Sequence, residues 1–270
     1  MTSESKSRWR LLLCIAVLAA VAVWGLRPRL GELPSASKET PFENSLGMKF
    51  VPAGTQGVLF GIWDVRVKDY EAFVSETGRK HDQPSFDQGP DHPVVNVDWF
   101  EAKAFCQWLT EKDRKAGKIK SGVYYRLPEV KEWDVAVGDT KYPWGNVWPP
   151  PKGVGNYDEV YRVDEFKETS PVGSFTTNRY GLFDMGGNVF QWMEDVRRED
   201  LKLMSRLKTF VEERDFKVFQ RFEWRVVRGA PWIIFDHKIL LSYYRGDTSP
   251  EICSEFSGFR CVLVGEPAPR

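Results

Sequence analysis

Histidine and cysteine are both scarce in this chain, with three His and four Cys in 270 residues. Four cysteines exclude a disulfide-dense scaffold. His81, His92 and His237 have no close spacing, so they do not read as a metal cluster and each takes a separate structural or surface role. An excess of charge of one sign is missing as well. Lys plus Arg and Asp plus Glu number 38 each, which leaves net charge zero. That excludes the basic surplus expected of a nucleic-acid binder. The chain has no Gly-rich phosphate loop, no G-x-S-x-G elbow and no Cys-x-x-Cys. Internal repeats and low-complexity tracts are absent too.

Aromatic residues, by contrast, make up 14% of the chain and include 11 Trp. Such a load favours an irregular fold in which large side chains pin loops together. The N-terminus carries a targeting pattern. Lys6, Arg8 and Arg10 precede an apolar run over residues 11–26, and Arg27 and Arg29 close it. Trp9 and Trp24 bracket the run as membrane-interface anchors do. Two readings fit, an uncleaved membrane anchor and a cleaved signal peptide. Basic residues flank both ends, so the positive-inside rule decides orientation only weakly; the domain is expected on the extracytoplasmic side. Cys14 inside the run reads as a lipid-facing small hydrophobe. Residues 28–41 have linker composition, and the folded domain is expected over 42–265, followed by a tail at 266–270.

Helical periodicity appears over 67–77, with Val67, Tyr70, Phe73 and Val74 on one face and Gly78 as the stop. A second helix is expected over 98–112. Asp98 is its N-cap, Glu101 completes a capping box, and Ala102, Phe105, Cys106 and Leu109 form its apolar face. A third, shorter helix fits 129–137. Periodicity fades between 138 and 187, where Pro, Gly, Asn, Asp and Trp dominate and packed loops are expected. Residues 196–224 are highly charged, lack Gly and Pro, and space Leu201, Met204, Leu207, Phe210 and Val211 among the charges. This reads as an amphipathic helical insert that either packs on the domain or docks a protein partner. Strands are expected over 225–228, 239–244 and 258–264.

Five segments in order carry a resemblance. They are 44–54 (NSLGMKFVPAG), 92–109 (HPVVNVDWFEAKAFCQWL), 125–146 (YRLPEVKEW, then YPWGN), 169–195 (TSPVGSFTTNRYGLFDMGGNVFQWMED) and 225–262, which ends in GFRCV. Together they resemble the formylglycine-generating-enzyme-like, or sulfatase-modifying-factor, family. The resemblance implies an α+β, loop-rich fold related to the C-type lectin fold. It further implies that active members bind copper through two cysteines five apart, following an RGGS-aromatic motif, and oxidise a cysteine on a sulfatase peptide. Soft thiolate suits Cu(I). Here the motif reads Arg228, Gly229, Ala230, Pro231, Trp232, and a gapless count puts the cysteine positions at Ile234 and Ile239. Pro231 replaces the family Ser, and Leu241 stands where an Arg follows. No Cys lies between Cys106 and Cys253. Isoleucine neither binds copper nor forms a thiolate, so neither copper nor the oxidase chemistry is expected.

The resemblance carries further expectations. Cys106 and Cys261 stand where exported members form a disulfide, which would stabilise by roughly 4–5 kcal/mol on the loop-entropy model; two buried thiols are the alternative. Cys253 is left over, either as a free, partly buried thiol or in a disulfide to another protein. Calcium is implied as a structural cofactor. One site would use Asn156, Tyr157, Asp164 and Phe166, whose oxygens suit a hard cation; an ordinary Asx-turn is the alternative. A second would use Asn188 and Val189, weakened because the family Glu is Gln191, with Glu194 or Asp195 as compensating charges. A groove lined by Trp232, His237, Tyr243, Tyr244 and Arg245 is the candidate ligand surface. The expected function is a membrane-anchored, extracytoplasmic, non-catalytic binding or assembly module. An enzyme of divergent oxidoreductase-type chemistry and a calcium-dependent lectin-like binder are the alternatives.

Overall fold

The computed structural model describes residues 31–197 and 223–265. The apolar segment 11–26, most of the charged insert and the tail at 266–270 lie outside the described residues. Among the described residues no helix is long and apolar enough to cross a membrane.

Among the described residues, nine short strands form two sheets and three helices accompany them. A five-stranded antiparallel sheet runs in the order β1 (Phe42–Glu43), β2 (Lys49–Pro52), β3 (Val58–Gly61), β9 (Val262–Gly265), β4 (Val123–Arg126). Its side chains alternate between two cores, as the pleat of a strand requires. Phe50, Leu59, Val123 and Leu263 enter one core, with α1 (Val67–Thr77) and α2 (Trp99–Lys115). Val51, Val58, Phe60, Val262 and Val264 enter the other, with α3 (Val130–Val137). With both faces covered, these strands read as nearly continuous apolar runs.

The helices follow their local signals. Gly78 closes α1 in the left-handed conformation at φ 68° and donates to the Val74 carbonyl. The Asp98 side chain caps α2 by accepting from Glu101 N–H at 2.7 Å. Between 138 and 187 the described chain has no strand of the two sheets, only a single 3₁₀ turn at Glu159–Tyr161.

The second sheet runs β7 (Gly246–Thr248), β6 (Arg225–Arg228), β5 (Phe190–Val196), β8 (Ser257–Gly258), with β5 and β8 parallel. Arg197 N–H donates to the Trp224 carbonyl at 2.9 Å, so the described residues on the two sides of the insert meet.

Three expectations fail. Residues 239–244 are turns, with Ile239 N–H donating to Asp236 and Tyr244 N–H to Leu241, because β6 takes β7 as its partner. Residues 258–264 are split. Phe259, Arg260 and Cys261 cross from one sheet to the other, leaving β8 and β9 as separate strands. Residues 31–41 lie on the domain, since Leu33 and Ala36 pack against the first core and Gly31 N–H donates to Ser121. The folded unit therefore begins before Phe42.

Candidate functional site

The Gly-Gly-Asn turn preceding β5 organises the loop region. Gly187 has φ +84°, and a Cβ there would stand 2.5 Å from the Asn156 carbonyl oxygen, so glycine is required. Asn188, itself at φ 66°, donates its backbone N–H to Asn156 and its side-chain amide to Ser170. The turn thereby staples two distant loops together. Trp232 N–H closes onto the Asn188 carbonyl at 3.0 Å and brings the segment after β6 to the same place.

Of the residues expected to bind calcium, Tyr157, Asp164 and Phe166 are held together here by an Asx-turn at Asp164. Asn156 and Tyr157 are buried, and Asp164 accepts from the N–H groups of Tyr157 (3.0 Å) and Phe166 (2.9 Å). Asn156 Oδ1 is buried without a partner, although its amide nitrogen donates to Glu168 at 2.7 Å. A buried carbonyl oxygen with no donor fits a cation. Burial raises the Asp164 pKa against those two hydrogen bonds, and a cation would offset that cost.

The second set does not fit a cation. Asn188 Oδ1 accepts from Ser170 N–H and the Asn156 amide, which uses both of its lone pairs. Gln191 Oε1 accepts from Trp133 Nε1 (3.2 Å) and Arg260 Nε (3.0 Å), so a guanidinium already stands at that oxygen. Glu194 and Asp195 do not compensate. Glu194 pairs with Lys103, and Asp195 caps Val130 N–H at 2.7 Å. Beside the turn, Asp184 accepts from Gly173 N–H through Oδ2 at 3.0 Å, and its Oδ1 is buried without a partner.

Behind the turn lies a charged group that periodicity did not reveal. Arg260 is fully buried and donates to Gln191 Oε1 and to the carbonyls of Gly61, Phe183 and Asp184. Asp64, also fully buried, stands 3.6 Å from it, too far for a hydrogen bond. Burial pushes the Asp64 pKa up to about 8, with Arg260 pulling it down and Asp184 adding to the rise. The ion-pair contact and the raised pKa point in opposite directions. Burial prevails, because the guanidinium is committed to four other oxygens and neither Asp64 oxygen has a hydrogen-bond partner.

The segment after β6 carries the positions expected for the copper cysteines. Ile234 and Ile239 pack, partly buried, on a third core cluster built from Tyr142, Tyr157, Val163, Ala230 and Leu240. They face apolar neighbours. An aromatic ladder flanks them, in which Tyr142 stacks on Trp144 at 4.7 Å and Trp148 meets Tyr161 and His237 at 5.5 and 5.7 Å.

The five groove candidates do not form one wall. Trp232 packs on Phe86 and Phe256. His237 is exposed beside Trp148, and Tyr243 is 69% exposed. Tyr244 is partly buried, which raises its pKa. Arg245 pairs with Asp134 at 2.7 Å and lines a cavity of about 480 Å³ with Asp134, Asp195, Val226 and Asp247. Successive turns between 231 and 244 send neighbouring side chains in different directions, where a strand would have aligned alternate ones.

The described cysteines separate as two and one. Cys106 and Cys261 are buried thiols with sulfurs 3.5 Å apart. Cys253 is free and exposed, not partly buried.

Comparison with known proteins decides the family. The model of the sulfatase-modifying factor enzyme 1-like domain matches residues 53–264. The chain belongs to that family. A formylglycine-generating enzyme of Thermomonospora curvata is 29% identical over 192 residues, covering 64% of this chain and 56% of that protein. The inactive C-alpha-formylglycine-generating enzyme 2 of Bos taurus is 31% identical over 190 residues, covering 65% of this chain and 52% of that protein. The chain thus spans about half the length of the curated relatives it matches. In fold, this sulfatase-modifying-factor-like domain is similar to PvdO from Pseudomonas aeruginosa, with a TM-score of 0.58 and 21% identity over 87% of this chain and 90% of that one.

Proposed function

We propose that this sulfatase-modifying-factor-like domain is non-catalytic and works as a binding or assembly module, held at the extracytoplasmic side of a membrane by residues 11–26. The observation that carries the reading is the packing of Ile234 and Ile239 on the third core cluster, at the positions where the resemblance implies copper-binding cysteines. Two aliphatic side chains offer copper no ligand. The similarity to a relative named inactive supports the same reading.

A binding role draws support from the exposed aromatic and aliphatic side chains around this loop region. Trp148 is 42% exposed and Phe235 71%. Calcium at Asn156, Tyr157, Asp164 and Phe166 would fix the loops that carry these side chains and supply no redox chemistry. The oxidised form of Cys106 and Cys261 belongs to the same extracytoplasmic placement.

Cross-linking mass spectrometry on the native protein in its own membrane tests the assembly role. One dominant partner linked through Lys202, Lys208 or Lys217 supports a protein-docking insert. Links only within the chain contradict it.

A further inference from the structure

The packing of residues 31–41 on the domain shortens the tether to the apolar run. Gly31 N–H donates to the Ser121 carbonyl at 3.3 Å. Gly31 also lies against the end of β9, where a Cβ at Gly265 would stand 1.9 Å from the Gly31 carbonyl oxygen. Only residues 27–30 separate this fixed point from the apolar run at 11–26. Fully extended chain from Leu26 to Gly31 reaches at most about 18 Å. With the apolar run in a bilayer, the surface around Ser121 is therefore held close to the membrane.

That surface is basic. Residues 114–121 (RKAGKIKS) carry Arg114, Lys115, Lys118 and Lys120 and no acidic side chain, in a chain whose net charge is zero. The end of α2 fixes their arrangement. Gly117, at φ 68°, lets the chain leave the helix, with Gly117 N–H on the Arg114 carbonyl and Lys118 N–H on the Asp113 carbonyl. Ile119 is then buried in the first core, while Lys118 and Lys120 on either side of it are exposed. Arg114 and Lys115 are exposed too. Among the described residues none of the four forms an ion pair, whereas Lys112 pairs with Glu76. Arg114 donates to the Val123 carbonyl at 3.0 Å and Lys118 to the Glu43 carbonyl at 3.5 Å, contacts that leave both charges without an acid. The helix dipole accounts for Arg114 and Lys115 in the last turn, but Lys118 and Lys120 lie beyond it. Arg27 and Arg29 in the tether add the same sign of charge. Glu32, Glu43 and Glu111 border this surface, and the basic residues outnumber them.

We infer that the face formed by Arg114, Lys115, Lys118 and Lys120 docks on the anionic phospholipid headgroups of the membrane that holds residues 11–26. The inference rests on the anchor proposed above. Tether length and charge together name the occupant. Basic side chains within a Debye length of an anionic bilayer, about 8–10 Å, each strengthen attachment about fivefold. Attraction to a charged plane needs no pocket, which suits exposed side chains without acidic partners. A tether alone leaves the domain free to turn. Docking this face sets its orientation, and with it the direction in which the loop region presents Trp148 and Phe235.

The test uses the full chain reconstituted in vesicles of phosphatidylcholine, alone or with an equal part of phosphatidylglycerol. Brief acylation with a water-soluble lysine reagent, read by mass spectrometry, gives the modification rate of each lysine. The exposed Lys152 and Lys238 of the loop region serve as internal references. The expected result is that the anionic vesicles slow Lys115, Lys118 and Lys120 by roughly threefold or more against those references, and that high salt removes the slowing. Lys118→Glu combined with Lys120→Glu abolishes the slowing at Lys115, and circular dichroism confirms that this variant is folded. Equal rates in the two kinds of vesicle overturn the inference while the anchor stands. So does slowing at Lys115 that survives in the double variant. A chain that alkaline carbonate strips from both kinds of vesicle refutes the anchor, and the inference falls with it.

Discussion

Replacing Asp64 with Asn should change how stability depends on pH. Asp64 is fully buried beside Arg260, and its pKa rises from an ordinary 3.8 to about 8. Below pH 3.8 both the folded and the unfolded chain carry the proton, and the group costs nothing. Between 3.8 and 8 the folded chain keeps a proton that the unfolded chain has released, so stability falls as pH rises. Above 8 both forms are ionised and the loss levels off. Each pH unit inside the window is worth about 1.4 kcal/mol. From pH 5 to 7.5 the parent should therefore lose about 3 kcal/mol relative to Asp64→Asn, which has no proton to release. For a domain of this size that widens the gap in Tm by roughly 6–12 °C. Thermal melts of both chains at several pH values measure the gap, in which titrating groups that do not act on Asp64 cancel to first order. A gap that stays constant from pH 5 to 7.5 refutes the reasoning and means that Asp64 is an ionised partner of Arg260.

Gly187→Ala places a Cβ 2.5 Å from the Asn156 carbonyl oxygen at φ +84°, which should cost more than about 2 kcal/mol in urea unfolding; a neutral result contradicts the stapling role of the turn. Protein prepared under oxidising conditions should show Cys106 and Cys261 joined in a non-reducing peptide map, and reduction should destabilise it by roughly 4–5 kcal/mol. Two free thiols in that map would refute the pairing. Calcium at 100 times its Kd should stabilise by about 2.7 kcal/mol, and Asn156→Ala should abolish that gain. A parent chain whose Tm ignores both calcium and chelator would remove calcium from the account.

Much of the scaffold was legible because its signals are local. Gly78 stops α1, and Asp98 with Glu101 starts α2, on short-range hydrogen bonds that the sequence spells out. The failures share a different cause. Residues 239–244 are apolar enough for a strand, yet a strand exists only where another offers its edge, and β6 gives that edge to β7. Strand β5 went unread because Gln191, Trp192 and Met193 are all buried, so no alternation shows. The GFRC run looked continuous because nothing local marks the point where a chain changes sheets. In the loop region, the family resemblance pointed to Asn156 and Asp164, and the Asx-turn at Asp164 is a short-range feature. The commitment of Asn188 and Gln191 to Ser170, Trp133 and Arg260 was not legible, because those partners come from distant segments.

The most direct test of the central claim is mass spectrometry of a Cys-x-Pro-x-Arg peptide incubated with the purified chain, Cu(I) and oxygen, with the Thermomonospora curvata enzyme as the positive control. The account predicts that the control converts the cysteine to the aldehyde while this chain leaves the peptide unchanged, because Ile234 and Ile239 offer copper no thiolate. Aldehyde formation by this chain at a rate comparable to the control would contradict it.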